Sequence, residues 1–116
     1  MHFQLRTDNH ITNSDELSAS VRADVDASLV ARLGERLRRV EVYLEDTNAG
    51  KGGIDVRCTV EAHLAGMPAL AAENRASDLE EAVEGAIDKL LRVVEHRVGR
   101  IDDRAGHTSA AGEQGM

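Results

Sequence analysis

Residues 54 to 64 alternate without a break. Ile54, Val56, Cys58, Val60, Ala62 and Leu64 are apolar, and Asp55, Arg57, Thr59, Glu61 and His63 stand between them. Successive side chains of a strand point to opposite faces, so this run predicts a strand with one buried and one wet face. The apolar face needs a cover, and the rest of the chain must supply it.

Two segments have the period to do so. From residue 17, Leu17, Val21, Val25, Leu29, Leu33 and Leu37 recur every four residues, the mark of an amphipathic helix. Asn13 and Glu16 are spaced as a capping box at its start, and Gly34 is expected to end it or to stand near its end. The second helix opens on another capping box, Ser77 to Glu80, and runs to about Asp103. Its apolar face is Leu79, Val83, Ile87, Leu90, Val94, Val98 and Ile101.

Three further strands fit around these. His2 to Thr7 alternates around Phe3 and Leu5, and Val40, Val42 and Leu44 alternate with Glu41, Tyr43 and Glu45. Ala69 to Arg75 is a weaker strand after the turn Gly66-Met67-Pro68. The predicted order is β-α-β-β-β-α. The first βαβ unit should be a right-handed crossover and the last three strands an antiparallel meander. The expected fold is an α+β two-layer sandwich, with two helices on one face of a four-stranded mixed sheet. Residues 1–104 form the single expected domain, and 105–116, rich in Gly, Ala and Ser, an expected disordered tail.

Composition narrows the function classes. Aromatics are limited to Phe3 and Tyr43, which argues against recognition by base stacking or an aromatic cage. The formal charge is -7, so phosphates are repelled on average. Cys58 is the single cysteine, which fits a reducing compartment, and the longest apolar run, Met67 to Ala72, is far too short to span a bilayer. A cytoplasmic protein without membrane association is expected.

No catalytic constellation can be assembled. Gly50-Lys51-Gly52-Gly53 lacks the spacing and the Ser/Thr of a phosphate-binding loop and suits a hairpin loop. His2, His10, His63, His96 and His107 show no metal-ligand spacing with Cys58 or with one another. Cys58 and His63 are five apart on one strand and point to opposite faces, so Cys58 is expected in the core and His63 on the wet face. No enzyme activity, cofactor or metal is expected.

One constellation stands out. On the second helix Lys89, Arg92, His96, Arg100 and Arg104 share a sector, with Arg97 at its margin. The stripe would be roughly 22 Å long at 1.5 Å rise per residue. Glu81, Glu84, Asp88, Glu95 and Asp102 hold a separate sector. Bases late in a helix complement its dipole, which is a sufficient structural role by itself. Yet Arg92, His96, Arg100 and Arg104 stack at i,i+4 without an acid between them, and like charges at that spacing repel. A stripe that costs stability points to a partner such as a phosphate backbone. Arg32, Arg36 and Arg39, with Arg38 nearby, form a weaker cluster near the end of the first helix, and the two basic ends could meet in one groove.

From Ser77 to Ile101 the chain resembles the ribosome hibernation-promoting factor family, also called ribosome-associated inhibitor, sigma-54 modulation or ribosomal subunit interface proteins. Ile87-Asp88-Lys89-Leu90 followed by Arg92, His96, Arg97 and Arg100 matches that family's last helix. Ser14-Asp15-Glu16-Leu17 and Arg39-Val40-Glu41-Val42-Tyr43-Leu44 support the match, and the likeness covers residues 1–104. The resemblance implies a protein of the short form, without the extra dimerising domain. It would sit in the messenger and transfer-RNA channel of the small ribosomal subunit and stop translation in resting or stressed cells. It implies ribosomal RNA contacts by Lys89, Arg92, Arg97 and Arg100, with His96 as an adjunct and Arg22, Arg32 and Arg36 from the first helix. The expected partner is the small subunit rather than DNA, and the expected state a monomer or weak dimer.

The chain departs from that pattern along the first helix. Arg22-Ala23-Asp24-Val25-Asp26-Ala27-Ser28 carries acids where bases would be expected, and residues 1–104 hold 14 basic against 20 acidic groups. The alternative expectation is therefore a diverged protein-interaction module on the same scaffold, with weak or no RNA binding.

Overall fold

The computed structural model describes residues 1–47 and 55–106, with side chains through residue 97. Strand β1 (His2–Thr7) leads into the first helix (Asp15–Val25), which continues through a π-helical segment (Asp26–Val30) and an α-turn (Ala31–Leu33). A 3-10 turn (Gly34–Arg36) follows, then β2 (Leu37–Asp46), β3 (Val56–Leu64), β4 (Leu70–Ala76) and the last helix (Leu79–Gly106). The sheet order is β1-β2-β3-β4, with β1 and β2 parallel and the other pairs antiparallel. This is the mixed four-stranded sheet that the alternation and the βαβββα order require.

The core follows the strand alternation. Leu5, Val42, Val60 and Ala72 lie in register across the sheet, and Val56, Cys58, Val60, Ala62 and Leu64 are all buried. Val21, Val25 and Leu29 cover this face from the first helix, and Ala82, Ala86, Leu90 and Val94 from the last. Leu29, Leu44 and Leu90 are fully enclosed, so truncating any one to Ala should cost about 2–5 kcal/mol. Cys58 lies at 0% exposure, and burial pushes its thiol up to about 12, as suits a packing residue.

Three local expectations are corrected. The first helix does not reach Leu37: Gly34 takes φ +56, a conformation a side chain resists, and Leu37 instead opens β2 as a buried strand residue. Both caps sit one residue later than the sequence spacing suggested. Ser14 Oγ accepts from the Leu17 N–H at 3.0 Å, while Asn13 Nδ2 reaches the Leu5 carbonyl. Asp78 Oδ1 accepts from the Glu81 N–H at 2.8 Å, and Ser77 donates to the Glu81 carboxylate. Ile54, the Gly50–Gly53 loop and the tail from residue 107 lie outside the described residues, as do the side chains of Val98 and Ile101.

Strand directions fix the helix directions. β1, β2 and β4 run one way, and each helix returns from the end of the strand before it, so the two helices are parallel. Arg32 of the first meets Glu95 of the last at 2.8 Å, seventeen and sixteen residues beyond their respective helix starts, as parallel helices require.

Candidate nucleic-acid interface

Parallel helices sort the charge along the molecule. Asp15, Glu16, Glu80 and Glu81 occupy the first turns, at one end, where they complement the helix dipoles. Arg32, Arg92 and Arg97 lie late in their elements, toward the other end. A net charge of -7 therefore conceals an acidic pole and a basic one. Over the Debye length of about 8 Å at physiological salt, local charge governs a contact more than the total.

The stripe of the last helix is exposed. Lys89, Arg92, His96 and Arg97 are all solvent-facing, and Val93, 41% exposed, sits among them. Lys89 Nζ donates to the Glu73 backbone carbonyl at 3.3 Å, which sets it against the outer edge of β4. Among the described residues, Arg92, His96 and Arg97 have no hydrogen bond or ion pair. Arg100 and Arg104 continue the helix, but their side chains lie outside the described residues.

The bases near the first helix are arranged differently. Arg22 Nε pairs with Asp26 at 3.2 Å, and its guanidinium lies 5.6 Å from the Phe3 ring centroid. Arg32 is tied to Glu95. Arg36 stands exposed in the 3-10 turn, where its carbonyl accepts from the Ala65 N–H. Arg39 is not on a helix at all: it sits on the open sheet face, 2.8 Å from Glu41. The two basic regions thus meet through a carboxylate, Glu95, rather than in one uninterrupted groove.

The open sheet face holds what sequence spacing did not reveal. Arg57 bonds Glu45 through Nε and Nη2 at 2.9 and 2.7 Å, which raises its pKa, and Arg75 approaches Asp55 at 3.9 Å. Glu41, Glu61 and His63 bring their ligand atoms within 4.8 Å of one another, because the β2–β3 register sets Glu41 opposite Glu61. Arg39 already pairs with Glu41, and His63 Nε2 lies 2.9 Å from Glu61. This face is charged but internally balanced. At the acidic end, burial pushes the Asp8 carboxyl up, yet the backbone N–H groups of Asp46 and His10 outweigh it and hold it below its ordinary value.

A family model described as Sigma 54 modulation protein / S30EA ribosomal protein matches residues 6–102. Among solved structures, the N-terminal domain of Protein Y from Thermus thermophilus is 24% identical, with a TM-score of 0.67 over 83% of this chain and 98% of that one. A ribosomal subunit interface protein from Coxiella burnetii is 13% identical, with a TM-score of 0.67 over 84% and 99%. Both are likenesses of fold. No curated protein matches the sequence. No helix among the described residues is long and apolar enough to cross a membrane.

Proposed function

The chain belongs to the Sigma 54 modulation protein / S30EA ribosomal protein family, and from that premise we propose that it is a translation inhibitor that binds the small ribosomal subunit through ribosomal RNA. The family is one of ribosome-associated modulation factors rather than enzymes. The observation that carries the proposal is the unpaired state of Arg92, His96 and Arg97 on an exposed helix face. Side chains without partners in the free protein have their donors open to phosphate oxygens, and none of these three has an ion pair to break on binding.

The last helix is the main contact. Lys89 and Arg92 supply cations from one sector and Arg97 from its margin, His96 adds a donor beside them, and Arg100 is the next cation in the sequence pattern. Phosphate contacts position the protein without reading sequence, which suits a few exposed bases and an almost complete lack of aromatics. Arg22 and Arg36 flank the site, and Arg32 joins it only by leaving Glu95. A chain wedged this way in the decoding channel would exclude messenger and transfer RNA, as a monomer acting in the cytoplasm.

Co-sedimentation with ribosomes on sucrose gradients tests this. Saturable binding to the small subunit at physiological salt is expected, and about four phosphate contacts would give a log–log salt slope near -3. Binding at low salt alone, or to both subunits without saturation, would reduce the stripe to non-specific attraction.

A further inference from the structure

The two helices are tied together late, by Arg32 and Glu95, but leave an open groove between their starts. Its wider part, about 680 Å³, lies between the segment after β1, the ends of the sheet and the start of the last helix. A narrower part, about 290 Å³, continues down between the helices and shares Leu17, Leu79 and Glu80 with the first. Ile11, Leu17, Val21, Leu79 and Val83 form an apolar floor. Asp24, Asp46, Asp78 and Glu80 stand on its walls, and no Lys or Arg lines either part.

We infer that this groove docks a basic amphipathic segment of a protein partner, seating apolar side chains on the floor and lysines or arginines against the carboxylates. Charge complementarity selects the occupant. Phosphate is repelled by the four carboxylates, and the one histidine on the walls, His10, already lies 4.0 Å from the Asp8 carboxylate, so the groove does not extend the nucleic-acid surface. Leu17 and Leu79 remain partly exposed beside a core that is otherwise closed, so apolar area is still available for burial.

The position of Asp24 supports the same occupant. It lies in the second half of its helix, where a negative charge gains nothing from the dipole and where Asp is a poor helix former. Neighbouring Asp26 is held by Arg22, but the Asp24 carboxylate has no ion pair or hydrogen bond among the described residues, and neither has Glu80. Two unpaired carboxylates therefore flank an apolar trough, the arrangement a cationic amphipathic helix would complete. The groove and the basic stripe lie on different parts of the molecule, so this inference holds whether or not the stripe engages RNA.

The test uses the full chain and a labelled peptide of about fifteen residues with Leu at i, i+3, i+4 and i+7 and Lys on the other face, read by fluorescence anisotropy at physiological salt. Saturable binding is expected, weakened about tenfold or more by the double substitution Asp24→Lys/Glu80→Lys and unchanged by Arg92→Glu/Arg97→Glu. Far-UV circular dichroism checks folding, and the near-isosteric Asp24→Asn/Glu80→Gln should weaken binding in the same direction. A scrambled peptide of equal charge that binds equally well would reduce the effect to the chain's net charge and overturn the inference. So would a Glu-for-Lys peptide that binds equally, a peptide that fails to bind, or indifference to both pairs of substitutions. The experiment contains no ribosome, so its failure leaves the ribosomal proposal standing.

Discussion

The open face of the sheet and the outer face of the last helix both carry arginines, but they use them in opposite ways. On the sheet, Arg39, Arg57 and Arg75 each lie within 4.0 Å of a carboxylate, whereas Arg6 of the same face, on the edge strand β1, has no partner among the described residues. On the helix, Arg92 and Arg97 have no partner among the described residues. The difference teaches that total charge is a poor guide to this chain. Acids outnumber bases 21 to 14, yet the acids are concentrated where strands can pair them or helix starts can stabilise them. Among the described residues, the stripe cations Arg92 and Arg97 at one end and the groove carboxylates Asp24 and Glu80 toward the other have no partner.

Two matched double reversals would break the comparison most directly. Arg92→Glu/Arg97→Glu should lower ribosome affinity on the order of a hundredfold, while stability moves by less than ~0.5 kcal/mol. Reversing two sheet arginines, Arg39→Glu/Arg57→Glu, should change affinity only about threefold and lower stability instead, because it sets Glu against Glu41 and Glu45. Sedimentation binding curves and urea melts on both variants separate the two. Equal losses of affinity would mean that the pairing pattern is irrelevant to binding.

Next in size is the glutamate at the boundary. Glu95 belongs to the stripe's helix but is held by Arg32. Glu95→Gln removes one repulsive charge beside Arg92 and releases Arg32 toward the same surface. Affinity should rise about two- to fivefold, with the salt slope steeper by about one contact. Unchanged affinity would show that Arg32 and Glu95 stand too far from the bound RNA to matter.

The comparison also explains how much of the chain was legible from sequence. The stripe was legible because a helix fixes its own faces: 100° per residue places Lys89, Arg92 and His96 together whatever surrounds them. The strand faces were legible for the same reason, with a period of two. The sheet-face ion pairs were not, since Arg39 and Glu41 are i,i+2 neighbours on one strand, while Arg57 and Glu45 meet only through the β2–β3 register. Gly34 marked the end of the first helix in the sequence, but Leu37 keeps the helix's four-residue spacing although the chain has already turned there, so the periodicity assigned it to the wrong element. The π-helical segment at Asp26–Val30 also breaks the strict α-helical phase on which that spacing rests. The acidic groove is assembled from the segment after β1, both helices and the ends of β2 and β3, so no single stretch of sequence announces it.

A smaller effect sharpens the comparison on the stability side alone. Arg39→Ala removes the 2.8 Å pair with Glu41 and the longer contact with Gln4 on β1, and so loosens the parallel β1–β2 seam. A half-exposed pair of this kind contributes about 0.5 kcal/mol, which should lower the urea midpoint without changing the slope. Ribosome affinity should stay within twofold, because the neutralised guanidinium offers little to a phosphate.

The smallest effect belongs to the acidic pole and is read in pH. Asp8 accepts from the backbone N–H groups of Asp46 at 2.8 Å and His10 at 3.0 Å, and its folded pKa lies below its unfolded value. The unfolded chain therefore binds a proton here before the folded one does. The stability this supplies is fully present above the ordinary carboxylate value, about 3.9, and is lost as pH falls through the lower folded value. Asp8→Asn should thus lower the thermal midpoint modestly at pH 7, and the gap to the parent should close as the pH falls below about 4. A gap that stayed constant down to pH 2 would mean that Asp8 acts through the shape of its turn and not through its charge.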